Sequence, residues 1–386
     1  MNVCLLFKNM QEYHFIKDVY LFPKYIAKNL NCSLSIAYSR NKNIFFKDND
    51  IDLELNNVYK DFLLNFNFLQ NILLILFILK NSKKLDILVL FHYTIFSLVI
   101  CFIYKLRNRK GFVYIKGDMD MLDATEIDCS RGFRRIYLIL KSKIKIILSS
   151  NVDLFSVESL EVYNFILHKN NEYNFKEIKY ISNGFEITNE DLSPLNKENI
   201  IITVGRLGTQ QKNTKFLLDV ISQINLKDWK FYLIGSVNES FKSEIDKFYF
   251  ENPDFINKVI FLGSIEDRDL LKNYYKKAKV FISTSLWESY GLVFLEAVFY
   301  KNFLISNSVG AASDLIKLYN FDGKILDLEQ KKYIDYLQEV INGDIKLANY
   351  YQVDKDFSLD INYVIKPIIE SYMSLQNIRK LMNDKG

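Results

Sequence analysis

Hydrophobic and polar positions in the second half of the chain alternate between two periods. Five apolar runs are of strand length: Ile200 to Val204, Phe231 to Ile234, Val259 to Leu262, Val280 to Ile282 and Phe303 to Ile305. Segments of helical period lie between them: Thr214 to Ile224, Phe241 to Phe250, Arg268 to Lys277 and Leu292 to Tyr300. Strands alternating with helices predict a doubly wound, mostly parallel α/β sheet. Several strands run straight into glycine, at Gly205, Gly235 and Gly263. Ligands of such sheets gather at the carboxyl ends of the strands. Those ends are Gly205-Arg206, Gly235-Ser236, Gly263-Ser264-Ile265, Thr284 to Gly291 and Ser306 to Gly310.

The first half reads the same way with weaker punctuation. Strands are expected at Val3 to Phe7, Ser33 to Ala37, Ile87 to Phe91, Phe112 to Ile115 and Ile144 to Leu148, with a helix over Val19 to Leu30. Tyr180 to Ser182 closes this domain. Two apolar stretches, Phe62 to Leu79 and Leu85 to Tyr104, approach the length of a membrane span. The first is interrupted by Asn65, Asn67, Gln70 and Asn71. The second carries Asp86 and His92 and divides into a strand, Ile87 to Phe91, and a helix, Thr94 to Tyr104. Core elements of a soluble domain are therefore expected in both places. Tyr363 to Met382 has helical period and is placed to pack back on the first domain. The plan is a first domain over 1–183, a polar linker over 184–198 with Gly184 and Pro194, a second domain over 199–362 and a C-terminal helix over 363–386.

Composition supports two cores rather than one. A chain of 386 residues with 49% apolar residues exceeds one ordinary domain. The net charge of +4 is uneven: residues 1–190 hold 25 Lys and Arg against 20 Asp and Glu, the remainder 25 against 26. Arg131, Arg134, Arg135, Lys141, Lys143 and Lys145 follow one another without an acid, among Ile, Leu and Tyr. Such a stripe serves an anionic membrane surface, an anionic substrate or plain solvation. Cys4, Cys32, Cys101 and Cys129 form no CxxC pair, so neither a metal knuckle nor a disulfide framework is expected, and the compartment is read as reducing and cytosolic. No cationic segment followed by an apolar core opens the chain, so no signal peptide is expected.

Three groups of residues carry chemistry. In VGRLGTQQKNT, Arg206 and Lys212 place two cations beside a strand end that opens into a helix at Thr214, an arrangement suited to a diphosphate. In the run Leu292 to Tyr300 every residue is apolar except Glu296. A carboxylate in a helix apolar all round needs a partner, either a ligand or another group of the protein. Glu288 stands eight residues earlier, on the turn after Val280 to Ile282. Backbone amides of Tyr290, Gly291 and Leu292 mark the helix start and can meet an anion, while Glu296 can accept from two vicinal hydroxyls of a ribose.

Taken together these residues resemble the GT-B glycosyltransferases of family 4, which act with retention. VGRLGTQQKNT is similar to that family's Gly-Arg…Lys diphosphate loop, and Glu288 to Glu296 to its Glu-x7-Glu signature. FLGSIEDRDLLKNYYKKAKVFISTSLWESYGLVFLEA and SNGFE (Ser182 to Glu186) extend the likeness across residues 180 to 316. The resemblance implies two Rossmann-like domains facing a central cleft. It implies transfer of a hexose from a nucleotide-diphosphate sugar, a UDP-sugar first, to a glycan hydroxyl in bacterial surface polysaccharide synthesis. Arg206, Lys212 and the amides of Tyr290, Gly291 and Leu292 would hold the diphosphate, Glu296 the ribose, and Gly263, Ser264 and Ile265 the base. Glu288 would lie against the donor sugar. No metal and no cofactor is implied, because cations and amides neutralise the diphosphate.

The first half departs from the family pattern. Members usually carry a glycine-rich loop after the first strand, whereas this chain has Leu6-Phe7-Lys8-Asn9 and then Lys17-Asp18, with Lys8 or Lys17 as the substitute. Members also place a histidine near the transferred sugar. His92 and Asp118 compete for that acceptor-side role, each against a purely structural one. Partners implied are the donor, a glycan or lipid-linked acceptor and a peripheral membrane contact, without nucleic acid. The location is cytoplasmic or at the inner face of the membrane. Two rival functions are a nucleotide-sugar epimerase of similar fold and a non-catalytic nucleotide-sugar-binding subunit.

Overall fold

The computed structural model describes residues 1–59, 67–122, 132–169, 173–187, 195–347, 350–351 and 358–383. Cys129, Arg131, Pro194 and much of the expected linker lie outside them. The chain divides into two compact units, Met1–Glu186 together with Leu359–Gly386, and Ile187–Ser358.

The first unit is built on β1 (Asn2–Leu6), β2 (Ser33–Tyr38), β3 (Leu53–Asn57), β4 (Ile87–Phe91), β5 (Phe112–Gly117), β6 (Leu154–Val157) and β7 (Ile178–Tyr180). They form one sheet in the order β3-β2-β1-β4-β5-β6-β7, every pair parallel. The central strands are apolar runs because both faces are covered. Val3, Val89, Phe112 and Tyr114 enter one core, and Cys4, Leu88, Val113 and Ile115 the other. Ile361, Ile365, Ile368 and Tyr372, from the C-terminal segment, complete the first of these cores. Helices Ile361–Val364 and Lys366–Asn383 thus belong to the first unit.

One expected strand is overturned. Ile144 to Leu148 lies inside a helix, Gly132–Ser149. Its alternation of Ile and Lys is the local appearance of a helical stripe that begins at Phe133, and the buried Leu138 and Ser149 sit on the opposite side. β3 and β6 were not legible: LELNN is half polar, and LFSV has only four residues.

The second unit contains a short antiparallel pair, β8 (Leu195–Asn196) with β15 (Tyr350–Tyr351). Its main sheet holds β9 (Glu198–Val204), β10 (Lys230–Ile234), β11 (Val259–Gly263), β12 (Ala278–Ile282), β13 (Phe303–Ser306) and β14 (Gly323–Ile325). The order is β11-β10-β9-β12-β13-β14, again all parallel. Read by position, this is the 3-2-1-4-5-6 order of a doubly wound sheet, and the order in which strands are added reverses between β9 and β12. Helix Thr214–Ile221 buries Leu217, Leu218, Val220 and Ile221. Each such side chain contributes about 1.5–3 kcal/mol when fully withdrawn from water. Their burial anchors the loop that precedes the helix.

Candidate active site

The reversal between β9 and β12 brings two loops side by side. One, Gly205 to Asn213, leaves β9. The other, Ser283 to Gly291, leaves β12. Backbone and side chain tie them together: Leu286 N donates to Gln211 O at 2.7 Å, and Thr284 Oγ1 donates to the carbonyls of Lys212 and Asn213 at 3.3 Å each. Gly205 leaves the space that the Lys212 stem crosses; a Cβ at this position would lie 2.8 Å from Lys212 Cε.

Across this junction Lys212 Nζ donates to Glu288 Oε1 in a close ion pair, with the carboxylate side chain only 8% exposed. Gln211 Nε2 donates to Glu288 Oε2 at 3.2 Å and to the Trp287 carbonyl at 3.1 Å. Arg206 Nη2 in turn donates to Gln211 Oε1 at 2.7 Å. Arg206, Gln211, Lys212 and Glu288 therefore form one hydrogen-bonded network. Gln211 was not singled out from the sequence, and only its place between Arg206 and Lys212 marked it. The loop after β13 presses on the same group. At Gly310, φ is +51°, and a Cβ would meet Tyr290 O at 2.4 Å and Glu288 Cβ at 2.9 Å, so glycine is required there.

Gly291, at φ +80°, caps helix Leu292–Phe299, and Tyr290 is buried before it, its carbonyl accepting from Ala311 N at 2.8 Å. Glu296 is not left to a ligand alone. Arg268 Nη2 donates to Glu296 Oε1 at 2.6 Å, from helix Arg268–Lys277. Burial pulls against the Arg268 charge, yet Glu296 outweighs it and raises the guanidinium pKa. Burial first, and the Glu296 charge second, push the Tyr275 phenol well above its ordinary value. Arg268 follows Gly263-Ser264-Ile265 by only a few residues, so the ion pair ties the segment just after the expected base-binding strand end to the expected ribose residue. Gly263 itself has φ +70° with open space where a side chain would stand.

In the first unit the two competing acceptor-side residues are neighbours. His92, at φ +66° after β4, has Nδ1 3.8 Å from Asp118 Oδ2, which follows β5. The backbone supports the pair, with His92 N donating to Lys116 O at 3.0 Å. Lys116 is fully buried, at the meeting of three elements. Its Nζ donates to Asp18 Oδ2 at 3.0 Å, pairs closely with Glu158 and lies 4.7 Å from the centre of the Phe22 ring. Burial lowers its pKa, against the pull of Asp18. Nothing in the sequence marks this lysine, because a strand-end Lys ordinarily faces water. Of the two cations expected to replace the glycine-rich loop, Lys8 donates to Asn71 Oδ1 at 2.7 Å and Lys17 lies 4.6 Å from the centre of the Tyr13 ring. Among the described residues no cluster of His, Cys, Asp and Glu has the arrangement of a metal site.

Residues 185–355 match the family described as "Glycosyl transferases group 1". The chain is 22% identical over 361 residues to an uncharacterized 41.2 kDa protein in the cps region of Klebsiella pneumoniae, covering 88% of each. It is 25% identical over 267 residues to the capsular polysaccharide biosynthesis glycosyltransferase CapH of Staphylococcus aureus, covering 65% of this chain and 69% of that one. Among solved structures, Anabaena Alr3699/HepE in complex with UDP and glucose superposes with a TM-score of 0.58 at 16% identity, covering all of both chains. The fold is therefore that of the GT-B glycosyltransferases, two parallel-sheet Rossmann-like domains.

Proposed function

We propose, from the premise that residues 185–355 are a glycosyl transferases group 1 domain and the chain a glycosyltransferase, a specific reaction. The enzyme belongs to the retaining family 4 and moves a hexose from a UDP-sugar to a hydroxyl of a glycan or lipid-linked glycan. The product is a bacterial surface polysaccharide, and the work is done at the cytoplasmic face of the cell membrane. The observation that carries this reading is the contact of Lys212 with Glu288 at the reversal point of the second sheet.

The chemistry follows from what these groups can do. The bond between the anomeric carbon and the β-phosphate oxygen breaks, and the diphosphate leaves with the electron pair. Arg206 and Lys212 stabilise that growing negative charge, assisted by the amides at the start of helix Leu292–Phe299. Glu288, released from Lys212 as the diphosphate takes its place, accepts hydrogen bonds from sugar hydroxyls and fixes the ring. Glu296 accepts from the ribose, with Arg268 holding its carboxylate in place. The acceptor oxygen forms the new bond to the anomeric carbon. For its proton we assign the His92–Asp118 pair, which orients the hydroxyl or takes the proton from it. With two cations and a helix terminus on the diphosphate, no metal is required.

A thermal-shift panel of UDP, GDP, ADP and their sugars tests the donor. A ligand that binds only the folded state raises Tm. UDP and UDP-hexose are expected to raise it in the unsubstituted chain and by less, at the same concentration, in Lys212→Met. Equal shifts from all three bases, or none, would overturn the donor assignment.

A further inference from the structure

Three neighbouring helices of the first unit share an unusual composition. Asn67–Asn81 packs on Ile95–Arg107, which packs on Gly132–Ser149. They contain one, two and five basic residues respectively, and no acidic one. All three also leave large apolar side chains in water. Leu76 on the first is 52% exposed, Leu106 on the second 60% and Phe133 on the third 92%.

The third helix carries the pattern furthest. Phe133, Ile136, Tyr137, Leu140, Ile144 and Ile147 are 92, 56, 62, 57, 49 and 70% exposed. At 100° per residue they fall within an arc of about 100° along the whole helix, one continuous apolar stripe. Lys141 and Lys143 stand about 80° to either side of its middle. Leu138 and Ser149 are buried on the far side, so the helix is seated on its unit by one face and presents the stripe with the other. Lys145 is tied down, its Nζ donating to the Tyr93 carbonyl at 2.8 Å and lying 4.1 Å from the Tyr93 ring centre.

Exposing six large apolar side chains costs free energy unless something covers them. A second copy of the same surface would set a wholly basic face against another. A bilayer with anionic headgroups meets both requirements, apolar depth for the stripe and negative charge for its borders. The helix, about 27 Å long and edged by lysines, suits a position in the plane of the interface rather than across it. None of the described helices is long and apolar enough to cross a membrane.

We infer that helix Gly132–Ser149 is a membrane-docking surface that lays its Phe133–Ile147 stripe into an anionic lipid leaflet. The inference uses no donor-site residue and stands or falls apart from the glycosyl-transfer reading. Its test is cosedimentation of the full chain with mixed phosphatidylglycerol–phosphatidylcholine vesicles and with pure phosphatidylcholine vesicles. Binding to the mixed vesicles only, weakening as salt rises, is expected. Phe133→Glu with Leu140→Glu should lower that binding by about tenfold or more, and Lys141→Glu with Lys143→Glu likewise. These side chains face water, so Tm should stay unchanged. Failure of the unsubstituted chain to bind anionic vesicles at low salt overturns the inference. So does binding indifferent to lipid charge or to both double substitutions. Self-association of the vesicle-free chain that Phe133→Glu abolishes would assign the stripe to a second copy instead.

Discussion

At the scale of single residues, the proposed donor site holds its own charges in reserve. Lys212 and Glu288 neutralise each other in the free enzyme, and in the proposed reaction a diphosphate would have to draw the ammonium away from the carboxylate. The two partners should therefore fail in opposite ways. Lys212→Met should weaken UDP binding by about tenfold to a hundredfold, the worth of a charged hydrogen bond. Glu288→Gln removes the competitor for Lys212, so UDP should bind at least as tightly while transfer is lost. Calorimetry with UDP and a transfer assay on both variants separate the roles. Weaker UDP binding by Glu288→Gln would show that the carboxylate supports the nucleotide rather than the sugar. Glu288, Glu296, Arg206 and Lys212 were legible because each is a charge that breaks an apolar or glycine-marked pattern. Gln211 and Arg268 were not, since a neutral amide in a polar loop and an arginine on a helix rich in charge break nothing. Their meaning depends on which loop folds against which, and the sequence carries no local trace of that.

At the scale of elements, the end of one helix shows how the second unit trades charge for packing. Lys197 is buried, and its Nζ donates to the carbonyls of Tyr275, Ala278 and Tyr300 at 3.2, 2.7 and 2.6 Å. Those acceptors lie where helices Arg268–Lys277 and Leu292–Phe299 run out of partners. Asn302 Nδ2 donates to two of the same carbonyls. The C-terminal ends of the two helices that carry Arg268 and Glu296 are thereby fixed to one buried ammonium. Burial pulls that ammonium down to about 7 from an ordinary lysine value. The folded state then binds fewer protons than the unfolded chain from about pH 7 up to the ordinary lysine range near 10.4. Stability rises with pH across that window, by at most about 1.4 kcal/mol per pH unit, and is lost as pH falls toward 7. Urea melts of the chain and of Lys197→Met at pH 7, 8 and 9 should show a rising midpoint in the former and a flatter one in the latter. Parallel profiles would place the lysine's charge in both states alike. Strand and helix positions in this unit were largely legible, because buried parallel strands are unbroken apolar runs ended by glycine. Ile144 to Leu148 misled for a physical reason: a five-residue window cannot tell a strand's alternation from the edge of an exposed helical stripe.

At the scale of the whole molecule, each unit is built on one all-parallel sheet. The second places Arg206 and Lys212 at its reversal point, and in the proposed reaction these cations would meet the diphosphate charge. Activity measured with EDTA is accordingly expected to match that measured with Mg²⁺, and an absolute need for a divalent ion would overturn the metal-free assignment. The fold class and the division into two units follow from period and length. The lateral order of the strands does not, because pairing partners are set by contacts between residues far apart in the chain.

The last helix carries a consequence for how the protein is made. Ile361, Ile365, Ile368 and Tyr372 fill a core whose other members lie mostly before residue 182, so the second unit is an insertion within the first. During synthesis the first sheet emerges early, and one of its cores lacks these four side chains until residues 361–372 have followed. The inserted unit has all its strands before that moment and can close ahead of it. A stop codon after Ser358 should therefore yield a chain whose second unit still melts cooperatively and binds UDP, while the first binds a hydrophobic dye. Loss of both transitions together would show that the late helix supports the whole molecule.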